Sequence, residues 1–231
     1  MKKNIFFVKL FAILILLALT SCSGGGGGGE GEGSSRSGRT TKTAIRVIHS
    51  SVDAVPLGLV SNGVFLNKFD YLGESEFYDV AEGANALTLV TGDRVSQAIK
   101  SLSIDALKST EYTLFAYGAE RDREFRVEVL PEPVLRPEDG MSRVQVLHGL
   151  SDVSSINFTI GTEGSRSVAF GKTSGFIDLP VGTYPVTITG SRGNLLGSLN
   201  VNLENRGEAT VVVAGKVDYN FISFKVYQDL D

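Results

Sequence analysis

An internal repeat is the feature that most restricts how this chain can fold. Ile45-Arg46-Val47-Ile48-His49 followed by Asp53 returns 99 residues later as Val144-Gln145-Val146-Leu147-His148 followed by Asp152. Phe77-Tyr78-Asp79-Val80 with Gly83 returns as Phe176-Ile177-Asp178-Leu179 with Gly182. Glu111-Tyr112-Thr113 to Gly118 returns as Glu208-Ala209-Thr210 to Gly215, where small loop deletions bring the offset to 97. A self-similar chain folds as copies of one unit, so the 188 residues from Ala44 to Asp231 divide into two domains, 44–130 and 143–231. Between them, 131–142 carries Pro131, Pro133 and Pro137, half of the chain's 6 prolines, and reads as a short, fairly stiff linker.

Within each copy, short β-branched and aromatic runs alternate with Gly, Asn, Asp or Pro every ten or so residues, the signature of antiparallel strands. Leu57 to Val60, then Ser61-Asn62-Gly63-Val64, then Phe65 to Phe69 reads as a hairpin, because Asn-Gly tolerates the positive φ of a tight primed turn. About seven strands per copy are expected, with Leu195 to Leu203 and Thr210 to Ala214 counted together in the second. The continuous Val211-Val212-Val213 run lacks alternation and predicts a strand buried in a sandwich. The expected fold is all-β: two tandem immunoglobulin-like antiparallel β-sandwiches. The chain lacks the antibody-type Cys pair and Trp, so the likeness is one of architecture.

Arg46-Val47-Ile48-His49-Ser50-Ser51-Val52-Asp53-Ala54, Leu72-Gly73-Glu74-Ser75 and Glu111-Tyr112-Thr113-Leu114-Phe115-Ala116-Tyr117-Gly118 resemble the bacterial domain of unknown function 4397 family. The second copy resembles it in Val146-Leu147-His148, Phe170-Gly171-Lys172-Thr173 and Leu179-Pro180-Val181-Gly182-Thr183-Tyr184, but is degenerate, with Ala209 where the first copy has Tyr112. The resemblance implies tandem domains of secreted or cell-envelope proteins. It implies no activity.

The first 43 residues speak to location. Lys2 and Lys3 precede an apolar run, Leu10 to Leu19, too short for the roughly 20 residues of a spanning helix. Leu19-Thr20-Ser21-Cys22 then resembles the lipobox of bacterial lipoproteins, in which the cysteine is acylated and the chain is cut before it. Residues 1–21 are the expected signal peptide and Cys22, the chain's 1 cysteine, the expected lipidation site. The bilayer is thereby a partner through an acylated (palmitate-type) Cys22, since two or three acyl chains hold a protein where one does so only marginally. Ser23 is not the aspartate of inner-membrane retention, which favours the outer membrane. Gly24 to Gly29 and the Gly/Ser-rich chain to Thr43 form a flexible leash, about 20 residues with an r.m.s. reach of roughly 25 Å.

Candidate chemistry is sparse. The 2 histidines, His49 and His148, are repeat equivalents, each four residues before an aspartate, Asp53 and Asp152. Imidazole and carboxylate together can bind a metal or exchange protons. A metal site needs three or four ligands, however, and the duplication of the pair with the fold suits a histidine that orders the turn after the first strand, bonded to Asp53 or Asp152. Gly171-Lys172-Thr173 lacks the first glycine of a P-loop, where Arg166 stands, and Ser174-Gly175 lacks the glycine of a nucleophile elbow. Asp70, Glu74, Glu76 and Asp79 are acidic but lack EF-hand spacing. No catalytic residue, metal ligand or cofactor is expected from these motifs.

Charge excludes one class of partner. The −4 of the whole chain becomes −7 once Lys2, Lys3 and Lys9 leave with the signal, and no basic cluster remains for phosphate. Nucleic acid is therefore not an expected partner. The expected function is that of a non-enzymatic, membrane-anchored envelope lipoprotein, a binding, adhesion or structural module with a protein or glycan partner. Tyr117 and Tyr219 are the candidate exposed aromatics. The alternatives are an envelope enzyme or metal-binding protein using His49/Asp53 or His148/Asp152, and a periplasmic accessory subunit.

Overall fold

The computed structural model describes residues 43–91, 94–119, 125–132 and 136–229. Cys22, the signal peptide and the leash lie outside the described residues, apart from Thr43. The first copy contains β1 (Ala44–His49), β2 (Leu57–Ser61), β3 (Val64–Phe69), β4 (Tyr78–Asp79), β5 (Gly83–Thr91), β6 (Arg94–Ala106), β7 (Glu111–Tyr117) and β8 (Arg126–Glu132). The second contains β9 (Met141–Leu150), β10 (Ser155–Ile160), β11 (Arg166–Ala169), β12 (Ile177–Pro180), β13 (Gly182–Gly190), β14 (Leu195–Leu203), β15 (Glu208–Lys216) and β16 (Phe221–Asp229). The first copy forms sheets β3-β2-β5-β6 and β4-β1-β7-β8, and the second repeats the order as β11-β10-β13-β14 and β12-β9-β15-β16. The chain is thus two tandem all-β sandwiches of immunoglobulin-like architecture.

Three details depart from the sequence expectation. Among the described residues each copy has eight strands, and in the second the stretch 195–214 is two strands, β14 and β15, that lie in different sheets. One pair in each four-stranded sheet that contains the first strand is parallel, β1 with β7 and β9 with β15. Pro131 and Glu132 belong to β8 and Met141 and Ser142 to β9, so the strands consume both ends of the expected linker. Pro131 is tolerated there because β8 is an edge strand, where a missing N–H need not break a ladder. The hairpin expectation holds: Asn62 and Gly63 join β2 to β3 with φ of 49° and 82°, as a type I′ turn requires.

Four sheets enclose three apolar cores. One fills the first sandwich, with Ile45, Val47, Leu59, Leu89 and Leu114 among its members; a second fills the other sandwich around Val146, Phe158, Ile188 and Val211. The third lies between the sandwiches and is built from Ile48, Phe115, Tyr117 and Leu130 of the first copy and Leu147, Val212, Ala214 and Tyr227 of the second. The sheets β4-β1-β7-β8 and β12-β9-β15-β16 are therefore inner layers, with apolar core residues on both faces. Strand β15 shows the consequence: Val211 and Val213 face the second sandwich's core, while Val212 and Ala214 face the other sandwich. Alternation vanishes because both sides are inside.

The members of this seam are repeat equivalents of one another: Ile48 with Leu147, Phe115 with Val212, Tyr117 with Ala214, Leu130 with Tyr227. The same face of each copy is used, as in an isologous dimer interface. Equivalent residues meet at its centre, where a Cβ on Gly149 would lie 2.7 Å from Oγ of Ser50, its counterpart. A Cβ on Gly171 would fall 2.2 Å from the Tyr117 ring, and its φ of 73° is also one that side chains rarely adopt.

Candidate functional site

The two histidines sit at corresponding ends of β1 and β9, both with no exposed surface. Each takes the same pose. Nδ1 of His49 accepts the N–H of Ser51, and Nδ1 of His148 accepts the N–H of Leu150, both at 3.3 Å. An aromatic edge lies against each ring, Tyr71 on His49 and Phe170 on His148. An Nδ1 that accepts leaves the proton of the neutral ring on Nε2. Burial pushes both imidazoles down to about 4, against weaker opposing effects of the Val55 carbonyl and Asp70 on His49 and of the Val153 carbonyl and Asp152 on His148. Neither Nε2 has a hydrogen-bond partner by geometry, the nearby carbonyls notwithstanding.

The histidine main chains explain the neighbouring motif. His49 N–H donates to the carbonyl of Gly73 and Leu72 N–H donates back to His49; His148 repeats this with Lys172 and Gly171. Ser75 Oγ then accepts from Val47 N–H at 2.7 Å, as Ser174 Oγ does from Val146 at 2.9 Å. The Leu72-Gly73-Glu74-Ser75 motif is thus a brace along the edge of β1. Asp152 does not bond His148 but takes the N–H groups of Val217 and Asp218, at 2.9 and 2.7 Å, fixing the 3₁₀ turn Val217–Tyr219. Asp53 is half-buried in the loop after β1.

Beside the apolar part of the seam lies a polar one, centred on Arg46, which is 1% exposed. Its Nε donates to Thr113 at 2.7 Å, one terminal nitrogen to Asp229 of the other copy at 2.7 Å, and the second to both oxygens of Glu132 at 3.0 and 3.2 Å. The guanidinium lies 4.8 Å from the centre of the Phe77 ring. Glu132 also accepts from Thr113 and from Gln145, the counterpart of Arg46. Burial would lower the arginine's pKa, but Glu132 and Asp229 outweigh it and hold the guanidinium charged. A cleft of about 360 Å³ beside it is lined by Glu74, Ser75, Glu76, Phe77 and Asp229. Burial pushes the Glu74 carboxyl up to about 7, with Arg46 opposing and Asp229 adding to the shift.

The remaining sequence candidates separate in space. Tyr117 is not exposed but buried in the seam, stacked on Phe115 and edge-on to Phe170, because the second sandwich covers it. Tyr219 is exposed at 75%, with Lys216 over its ring. Lys172 pairs with Glu128 across the seam. Among the described residues no group of three or more His, Cys, Asp and Glu side chains converges to hold a metal. The Arg46 network is what motif reasoning missed; a charged residue between the apolar neighbours Ile45 and Val47 was the available signal, since such a residue must be paired if buried.

The profile of a domain of unknown function, DUF4397, matches residues 43–159 and 142–231. No curated protein matches the chain. Among solved structures, a proposed cell adhesion protein from Bacteroides ovatus is 8% identical, with 80% of this chain and 95% of that one covered at a TM-score of 0.25. Another from Bacteroides uniformis is 6% identical, with 81% and 97% covered at 0.22.

Proposed function

The chain belongs to the DUF4397 family, in two tandem copies, and from that premise we propose a lipid-anchored envelope protein whose joined sandwiches bind a protein or glycan without catalysis. Acylated Cys22 would hold it at the outer membrane and the leash to Thr43 would carry the sandwiches away from the bilayer. The observation that carries the non-catalytic reading is the pose of the histidines. Both are buried, equivalent and committed to backbone N–H groups at strand ends, the duplication expected of fold-holding residues. A general base must instead reach a substrate proton.

Trypsin treatment of intact cells tests the placement, with a C-terminal tag followed in supernatant and pellet and a periplasmic marker as leakage control. Arg36, Arg39 and Lys42 lie in the leash, while paired strands resist cleavage. Release of a fragment holding both sandwiches is the expected result. Retention of the full-length chain until the outer membrane is permeabilised contradicts surface display and favours a periplasmic accessory role.

A further inference from the structure

The outward face of the sheet β11-β10-β13-β14 presents neutral polar side chains on three adjacent strands. Inward positions alternate strictly, with Ile156, Phe158 and Ile160 on β10 and Val186 and Ile188 on β13 in the core. Their outward neighbours are Asn157, Thr159, Thr187 and Thr189, continued on β14 by Ser198 and Asn200. The register sets them side by side: Asn157 faces Thr189, Thr159 faces Thr187, and Thr187 faces Ser198 on its other flank, with Asn200 opposite Pro185. Strand spacing makes this a grid of about 4.8 Å by roughly 7 Å, with a bulge in the β13–β14 pairing at Ile188 and Thr189. All six side chains are exposed or half-buried. None carries a charge, in a chain with 21% charged residues.

These six groups are also uncommitted, since none makes a side-chain hydrogen bond among the described residues. Two polar pairs elsewhere on the outer layers are engaged with one another, Thr183 with Asn202 at the rim of this face and Thr88 with Ser101 on the outer sheet of the first copy. An ordered array of neutral donors and acceptors is matched by a partner that is itself polar and uncharged. A charged ligand would find no counter-charge here. A protein partner would find no central aromatic or aliphatic anchor, since the exposed Leu195 stands at the edge.

We propose that this face binds a neutral polysaccharide, laid across β10, β13 and β14, its hydroxyl groups bonded to Asn157, Thr159, Thr187, Thr189, Ser198 and Asn200. The assignment rests on the binding reading above and names its ligand class and surface. The test is electrophoresis of the full chain, in non-ionic detergent, through native gels containing a neutral glucan, mannan, galactan or xylan, with pectate as the charged comparison. Retardation in at least one neutral gel, insensitive to added salt, is expected.

Thr159→Val, Thr187→Val and Thr189→Val combined keep shape and strand propensity while removing three hydroxyls, and should weaken retardation at least tenfold with the melting transition unchanged. Thr88→Val with Ser101→Ala, on the first copy, should leave it unaltered. Passage unretarded through every neutral gel overturns the inference, as does retardation by pectate alone or full retardation of the valine variant. Adhesion to cells or to a purified protein that the valine variant retains would overturn this surface and leave the binding reading standing.

Discussion

Arg46 and Gln145 occupy one position in two copies of the same fold, and the seam treats them differently. Arg46 gathers Glu132 of its own copy and Asp229 of the other, which are themselves equivalents, while Gln145 bonds Glu132, Thr210 and Thr173 as a neutral partner. A second arginine so close would set like charges together in a poorly screened interior. The apolar part of the seam diverges in the same way. Tyr117 packs where Gly171 leaves room, whereas their counterparts are the small Ala214 and the large Leu72. In this duplicated face the two sides that meet have become unequal, in charge at Arg46 and Gln145 and in size at Tyr117 and Ala214.

The largest test breaks the charged side. Arg46→Met leaves Glu132 buried without its main partner and should cost about 3–5 kcal/mol in urea unfolding. Adding Glu132→Gln should recover more than half of that loss, because the uncompensated charge is gone. Gln145→Leu should cost less, since it strands no charge.

The histidines offer the symmetric counterpart. Their folded values near 4 lie below the ordinary 6.5, so the unfolded chain binds the extra protons. Stability from each is fully present above pH 6.5 and is lost as pH falls towards 4, on the order of 3 kcal/mol per histidine. Urea midpoints measured across that window should fall, and His49→Gln and His148→Gln should each remove a similar share of the slope. Unequal shares would show that the copies have diverged here too.

Gly171→Ala sharpens the apolar comparison. The added Cβ meets the Tyr117 ring at a positive φ, which should cost about 2–3 kcal/mol. Combined with Tyr117→Ala the cost should be less than the sum, measured as a double-mutant cycle. The smallest effect belongs to Glu74. Its raised value means that its contribution to stability is present below about pH 4.5 and is lost as pH rises towards 7. Because Glu74 remains substantially exposed, solvent screens the effect. Glu74→Gln should modestly stabilise the protein at pH 8 and leave it unchanged at pH 4.

Local and repeated features were the legible ones. Asn62-Gly63 specified its turn chemically, and the offset of 99 located both sandwiches, because turn chemistry and duplication are written in contiguous residues. The sequence offered Asp53 and Asp152 as the histidines' partners, whereas Nδ1 of each ring accepts a backbone N–H two residues on. The seam was not legible. Val212 and Ala214 announce burial but not what buries them, and Glu132 lay at the start of a proline-rich stretch that reads as linker until β8 is seen to run on to Glu132. Arg46 finds its acids 86 and 183 residues away, a distance over which spacing carries no signal.

A seam with an apolar core and a charged network shared between the copies should weld the two sandwiches into one cooperative body. Hydrogen exchange of the β5 and β13 amides, one central strand from each outer sheet, measured across a urea series on the full chain, tests it most directly. Protection in both strands should be lost together, at one midpoint. Loss of protection in one sandwich at a urea concentration where the other remains fully protected would contradict it.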